Sequence, residues 1–314
     1  MRLLRFQQRP IENRIGVMID ANRIAELSGQ KNSEPILDFL HDPKHEARAV
    51  QTLDNAKKQL ANPEEKSAKG VIGLDSVTVL PPIARPTKII CLGGNFSDHL
   101  REGSASLPPF PVSFLKSPTS LVGHKAPVFY PPKVKLLDYE VELAAVIGEK
   151  CKDVSKKNAL DYVAGFSVFN DISARDIQFA EMKRGFCNLG KNFASFAPMG
   201  PFLVTPDQAG NPDNLEMELR VNGQTRQFSS TKNMVFKMQE LVEFFSSMTL
   251  EPGDIITSGT PSGVAIYRKP DKTPYLLQPG DLVESKIESL GKLQNTIVRE
   301  TKPTRLPSRH LVPA

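Results

Sequence analysis

The stretch LLDYEVELAAVIG, residues 136–148, makes two demands that few folds meet together. Its second half is an uninterrupted apolar run of strand length, and a strand of that kind is covered on both faces. Its first half carries a carboxylate on every second residue: Asp138, Glu140 and Glu142. Side chains alternate along a strand, so these three share one face while Tyr139, Val141 and Leu143 share the other and can pack inward. Carboxylates so close repel each other, and burying them unpaired is costly. The acidic face must therefore meet water or enclose positive charge. A solvated face is the ordinary outcome for an isolated Glu-x-Glu; the covered strand that follows argues for the enclosed charge.

A second acidic point lies at comparable depth. FSVFNDISARD places Asp171 just past an apolar run. Such an aspartate often caps a helix N-terminus. Taken with Glu140 and Glu142, it supplies a third oxygen ligand from an adjacent strand end. Three carboxylates suit a hard dication such as Mg²⁺ or Mn²⁺, with water and substrate oxygens completing the shell. Zinc fits less well, because no histidine or cysteine lies near these acids in sequence.

The remaining signals bound the setting. The 314 residues suggest a main domain and a smaller one. We place a small N-terminal α+β unit at 1–80, a catalytic unit at 81–300, and a flexible basic tail at 301–314. No apolar run approaches the roughly 18–20 residues that span a bilayer. The three cysteines are scattered with no CxxC pair, which argues for a reducing compartment. The net charge of +5 is spread among acids, so no nucleic-acid footprint is expected. The basic start MRLLRFQQRP lacks an apolar core and cleavage site, and Glu12 and Asp20 come early for a transit peptide. The expected location is cytoplasmic, or mitochondrial in a eukaryotic cell.

Residues 1–30 alternate as short strands, and HEARAVQTLDNAKKQLA and EPILDFL carry helical spacing. TVLPPIARPTKI reads as an extended linker. From Lys88 onward short strands predominate: KIICLGG, PVSFLK, APVFYP, YEVELAAVIG, AGFSVFND, FLVTP, LEMELRVNG and DIITSG. Helices are expected in SKKNALDYVA and MVFKMQELVEFFSSM, with short turns after Asn95 and Asp171. The fold class is β-rich α+β.

Five segments in order, KIICLGGNFSDHLRE, YEVELAAVIG, NDISARDIQ, LGKNFASFAPMGP and GDIITSGTPSGV, resemble the fumarylacetoacetate hydrolase family. Each is weak alone; together they span about two-thirds of the chain. The resemblance implies a mixed β-sandwich roll, a homodimer, and Mg²⁺ or Mn²⁺ held by Glu140, Glu142 and Asp171. It implies substrates that are 2-oxo or 1,3-diketo acids, which chelate the metal through a carboxylate and an oxo group. The family's reactions include C–C hydrolysis, decarboxylation and tautomerisation.

Within these segments further residues gain roles. His99 and Glu102 stand at i and i+3, on one side of a helical turn. They form either a surface pair or the dyad that activates water. Lys191 in LGKNF is a solvated lysine or, as the resemblance implies, the cation that steadies a developing enolate. Arg175 and Gln178 match site-lining positions, although Arg175 equally suits a structural salt bridge to Asp176 or Glu142. Thr260 lies in SGTPSGV, a tight turn or a loop whose hydroxyl bonds a substrate carboxylate. Departures from the family pattern border the pocket: RGFCNLGKNF brings Phe186 and Cys187 and no tryptophan, Asn192 replaces a common Ser or Thr, and Gly94 replaces a larger residue. No histidine neighbours Cys187 in sequence to activate its thiol.

The leading expectation is a metal-dependent hydrolase of an acylpyruvate-like diketo acid. The alternative keeps the site and changes the reaction to decarboxylation of an oxaloacetate-type acid or isomerisation of a hydroxydienedioate. A catalytically silent binding protein is a third reading, opposed by the retention of the acids, the lysine and the dyad.

Overall fold

The computed structural model describes residues 1–8, 13–27, 36–37, 43–61 and 70–301. The strand Val141–Ile147 lies at its centre, with all seven residues buried. It pairs antiparallel with Val163–Asn170 on one edge and with Ile255–Thr257 on the other. Parity divides its side chains as a two-sided strand requires. Val141, Leu143, Ala145 and Ile147 enter one apolar cluster, and Ala144 and Val146 enter another.

This strand belongs to a sheet of twelve. One end runs through Ile89–Gly93 to Val112–Lys116, the other through Ala197–Val204 to the N-terminal strands Arg2–Gln7, Arg14–Met18, Arg23–Glu26 and Val71–Gly73. Leu3 pairs with Leu203, so the leading strands continue the central sheet without a gap. Thr78–Leu80, expected as linker, also pairs with Arg2–Gln7. A five-stranded sheet covers the first cluster: Gln224–Ser230, Glu216–Val221, Leu282–Ile287, Gly291–Arg299 and Val128–Tyr130. Met217, Leu219, Val283 and Leu293 from this sheet meet Leu143, Phe166 and Val168 from the other. On the far face, Ala49 and Ala56 of helix Pro43–Ala61 join Leu3, Ile15 and Val17. The β-rich α+β sandwich is the expected class. No helix among the described residues is long and apolar enough to cross a membrane.

Three expectations on elements change. SKKNALDYVA forms only the 3₁₀ turn Ala159–Tyr162, because Val163 is already drawn into the sheet opposite Ile147. The later helix is confined to Met238–Ser246, since Met234 pairs with Phe96 in a β-bridge and holds the chain extended. The acidic strand is also interrupted: Leu137–Asp138 pairs with Ser173–Ala174, and the main strand begins only at Val141. The segments EPILDFL, apart from Ile36 and Leu37, and 302–314 of the tail lie outside the described residues.

Candidate active site

The interruption at Tyr139–Glu140 separates the acids into two jobs. Asp138 is spent on the fold: it accepts hydrogen bonds from the backbone N–H of Tyr139, Ala265 and Ile266 and from Arg175 Nε at 2.8 Å. It is thus an anchor, joined to Glu140 through the shared guanidinium of Arg175. Across the gap Glu140 N donates to Asn170 Oδ1 and Asp171 N donates to the Glu140 carbonyl, at 2.9 Å each. These bonds set Asp171 beside Glu140 where the strands part.

Glu140, Glu142 and Asp171 converge, all buried, with one potential ligand oxygen from each within 4.8 Å of the others. Lysines surround them. Lys191 Nζ reaches Glu140 Oε2 at 2.7 Å and Asp171 Oδ2 at 2.5 Å. Lys116, which sequence reasoning missed, lies fully buried with Nζ 2.5 Å from Asp171 Oδ1 and 3.2 Å from the Ile172 carbonyl. Arg175 Nη2 reaches Glu140 Oε1 at 2.6 Å, and its Nη1 donates to Gln178 Oε1 at 3.0 Å. The arginine therefore pairs with Asp138 and Glu140, neither of the partners that sequence suggested.

Glu142 differs from its neighbours. Both its carboxylate oxygens are buried, and neither has a hydrogen-bond partner. Burial, then the negative charges of Asp171 and Glu140, push its carboxyl well above the usual carboxylate range. Burial also disfavours ionised Glu140, but Arg175 and Lys191 override it and hold that group far below the usual range. For Lys191, burial is overcome by Asp171 and Glu140, so the amine stays protonated. A buried carboxylate left without a hydrogen bond, beside two other acids, is the donor set a dication completes. The residues present therefore fit a divalent cation, for which Glu140, Glu142 and Asp171 could each offer an oxygen.

The loop carrying Lys191 is built for close approach. Glu181 on helix Arg175–Met182 accepts the N–H groups of Asn188, Leu189 and Gly190 at 2.8–3.1 Å. A Cβ on Gly190 would lie 2.6 Å from Gln178 N and 2.7 Å from its Cα. Gly190→Ala is expected to shift Lys191 outward, cost about 1–3 kcal/mol of stability as overpacking does, and lower turnover. Thermal unfolding and a rate assay check this; an alanine variant with unchanged rate would show that the approach does not matter. Cys187, half-buried in the same loop, has its thiol pKa raised, chiefly by burial, so it is no activated nucleophile.

His99 and Glu102 share the short helix Ser97–Glu102, His99 Nδ1 lying 3.4 Å from Glu102 Oε2. Asp98 pins the helix by accepting from Ser229 Oγ at 2.7 Å, and Asn95 ties its start to the carbonyls of Phe236 and Ser258. Both Glu102 oxygens accept from Gly263 N at 3.0 Å, and the His99 ring stands 5.6 Å from that of Tyr267. Thr260 Oγ1 donates to the Val141 carbonyl at 3.0 Å and accepts from Gln227 Nε2 at 2.9 Å. Its proton is spent on the fold.

The family profile described as Fumarylacetoacetate (FAA) hydrolase C-terminal matches residues 88–298. The chain belongs to the fumarylacetoacetate hydrolase family. Among curated relatives, rat (Rattus norvegicus) "Oxaloacetate tautomerase Fahd2a, mitochondrial" is 42% identical over 260 residues, 82% of each chain. Among solved structures, fumarylacetoacetate hydrolase from psychrophilic Exiguobacterium antarcticum superposes with a TM-score of 0.74 at 33% identity, covering 96% of this chain and all of that one. The 2-hydroxyhepta-2,4-diene-1,7-dioate isomerase of Mycobacterium marinum does so with 0.70 at 30% identity and the same coverage. These relatives include a tautomerase, an isomerase and a hydrolase, so membership establishes an enzyme family acting on small molecules.

Proposed function

We propose that this family member is a tautomerase, moving a proton between the enol and keto forms of a small 2-oxo dicarboxylate of the oxaloacetate type. The observation that carries the reading is the buried, unpartnered Glu142 carboxylate next to a lysine held cationic. That pairing suits a dication and an enolate together. The name of the 42%-identical rat relative supports the substrate class.

A dication held by Glu140, Glu142 and Asp171 would polarise the 2-oxo group and so lower the cost of enolate formation. Lys191 carries fixed positive charge beside the developing enolate oxygen. His99 takes the proton from the carbon next to the oxo group at its imidazole and delivers it to the enolate oxygen, or carries it the opposite way from enol oxygen to carbon, and Glu102 orients the ring. Arg175 and Asp138 hold Glu140 in place, and Gln178 steadies the arginine. Thr260, through Gln227 and Val141, shapes the loop that a substrate carboxylate meets.

Hydrolysis of an acylpyruvate-like diketo acid is the second reading, favoured by the His99–Glu102 contact, which suits a water activator. In this structure both Glu102 oxygens already take the Gly263 N–H, which suits an orienting role better. The homodimer remains part of the proposal. The rat relative's name supports a mitochondrial location in a eukaryotic cell over the cytoplasmic expectation.

The test dissolves enol oxaloacetate in Mg²⁺ buffer and follows loss of enol absorbance in the ultraviolet while assaying pyruvate. Faster loss with enzyme and no pyruvate is expected. Pyruvate appearing in step with the absorbance change would make the enzyme a decarboxylase, and cleavage of acetylpyruvate without oxaloacetate turnover would make it a hydrolase.

A further inference from the structure

Two arginines beside the site have no acid to pair with among the described residues. The Cζ atoms of Arg226 and Arg268 lie 4.8 and 5.2 Å from the centroid of a single ring, that of Tyr275. Neither guanidinium forms an ion pair with a carboxylate among the described residues. The Nε of each is buried without a hydrogen-bond partner. Arg268 Nη2 spends itself on the carbonyls of Arg226 and Gly263. The Arg226 guanidinium has the Tyr275 face and no hydrogen bond among the described residues. Two like charges gathered on one half-buried ring repel each other, and leaving their donors empty is costly.

The sequence aims Arg226 there by an irregularity. In the hairpin Glu216–Val221 with Gln224–Ser230, Leu219 pairs with Gln227 and Arg220 with Thr225, so Arg226 is the extra residue of a β-bulge. Bulges re-aim a side chain and cluster beside sites. Its neighbour Gln227 faces inward and holds Val141 N and Thr260. Arg268 follows the 3₁₀ turn Ala265–Tyr267, whose N–H groups hold Asp138 and whose Tyr267 meets His99. Gly263 is the hinge between the two features: its N–H binds Glu102 and its carbonyl binds Arg268 at 3.1 Å. The arginine pair thus adjoins the His99–Glu102 side of the carboxylate cluster.

We propose that Arg226 and Arg268 form an anion subsite that receives the distal carboxylate of a dicarboxylate substrate. The choice of ligand rests on the tautomerase reading; the site itself rests on the unpaired guanidinium groups. An arginine fork offers a carboxylate two parallel donors, the strongest neutral-pH recognition of that group. A 2-oxo acid without the distal carboxylate would leave the subsite empty.

Oxaloacetate and pyruvate differ by that one group, so they probe it. Calorimetric titration of each in Mg²⁺ is compared for the wild type and Arg226→Gln, with the KM for enol oxaloacetate alongside. The substitution is expected to weaken oxaloacetate binding about tenfold or more, the loss of a charge-assisted bidentate contact, while pyruvate affinity stays within about twofold of the wild type. Arg226→Lys, which keeps charge and loses the fork, should fall between, and it carries the test if the glutamine variant does not fold. An unchanged ratio of oxaloacetate to pyruvate affinity in a folded variant, or parallel loss of both, overturns the subsite. If the wild type binds oxaloacetate through Arg226 yet does not turn it over, the tautomerase reading falls and the subsite stands. If turnover is present and the ratio does not depend on Arg226, the subsite alone falls.

Discussion

Replacing Glu142 with glutamine is expected to stabilise the metal-free protein while abolishing Mg²⁺-dependent turnover. The wild-type carboxylate is buried, makes no hydrogen bond among the described residues, and sits beside Asp171 and Glu140. An amide is neutral at every pH without having to hold a proton and can donate to its acidic neighbours, so relief of about 1–3 kcal/mol is expected in chelator. The pH dependence has a definite sign. The Glu142 pKa is raised in the folded state, so the folded chain holds a proton that the unfolded chain has lost. Its contribution is fully present below the unfolded carboxylate value and disappears as pH rises through the folded one. In chelator, wild-type stability should fall over that rising window, and Glu142→Gln should lack this component. Added Mg²⁺ should raise the unfolding temperature of the wild type and leave the variant unmoved. Equal destabilisation of the variant with and without Mg²⁺ would make Glu142 a structural residue and remove the basis of the metal site.

Lys191→Met should be the most damaging single change. Its ammonium bridges Glu140 and Asp171, so methionine removes one of the two cations on each buried carboxylate, leaving Arg175 on Glu140 and Lys116 on Asp171. Removing one partner of a buried ion pair costs about 3–5 kcal/mol. Mg²⁺ should restore part of that, because a dication neutralises the same acids. Turnover should not return with it: loss of a preorganised charge at a developing oxyanion costs about 10²–10³ in kcat. Unfolding curves in chelator and in Mg²⁺, paired with kcat and KM, separate the two roles. A Mg²⁺-restored variant with near-wild-type kcat would confine Lys191 to stability.

What was legible in the sequence was local. Glu140 and Glu142 are two apart, so strand parity sets them together, and His99 and Glu102 are three apart on one helical turn. The twofold burial of LAAVIG followed from its lack of polar alternation. The misses have the opposite character. Lys116 meets Asp171 across 55 residues, and in PVSFLK nothing distinguishes it from a solvated lysine at a strand end. Asp138 is set two before Glu140 by the same parity, but the sequence does not show that its oxygens are taken by the N–H groups of Ala265 and Ile266, 127 and 128 residues on. Arg175 carried a charge signal but no address, and its partners were settled by the turn at Ala265–Ile266 that fixes Asp138. The hairpin Leu282–Ile287 with Gly291–Arg299 is mostly polar on its outer side and gave too weak an alternation to read.

The pairing of Leu3 with Leu203 has a bearing on how this protein can be shortened. The shared family region, 88–298, omits Arg2–Gln7, the strand that protects the outer end of Ala197–Val204. A fragment trimmed to that region would present bare N–H and C=O groups flanked by Leu203 and Val204, both fully shielded in the intact chain. Exposed rims of that kind recruit other chains. The leading strands thus serve as a guard against self-association, and excising them would favour insoluble material over a smaller working enzyme.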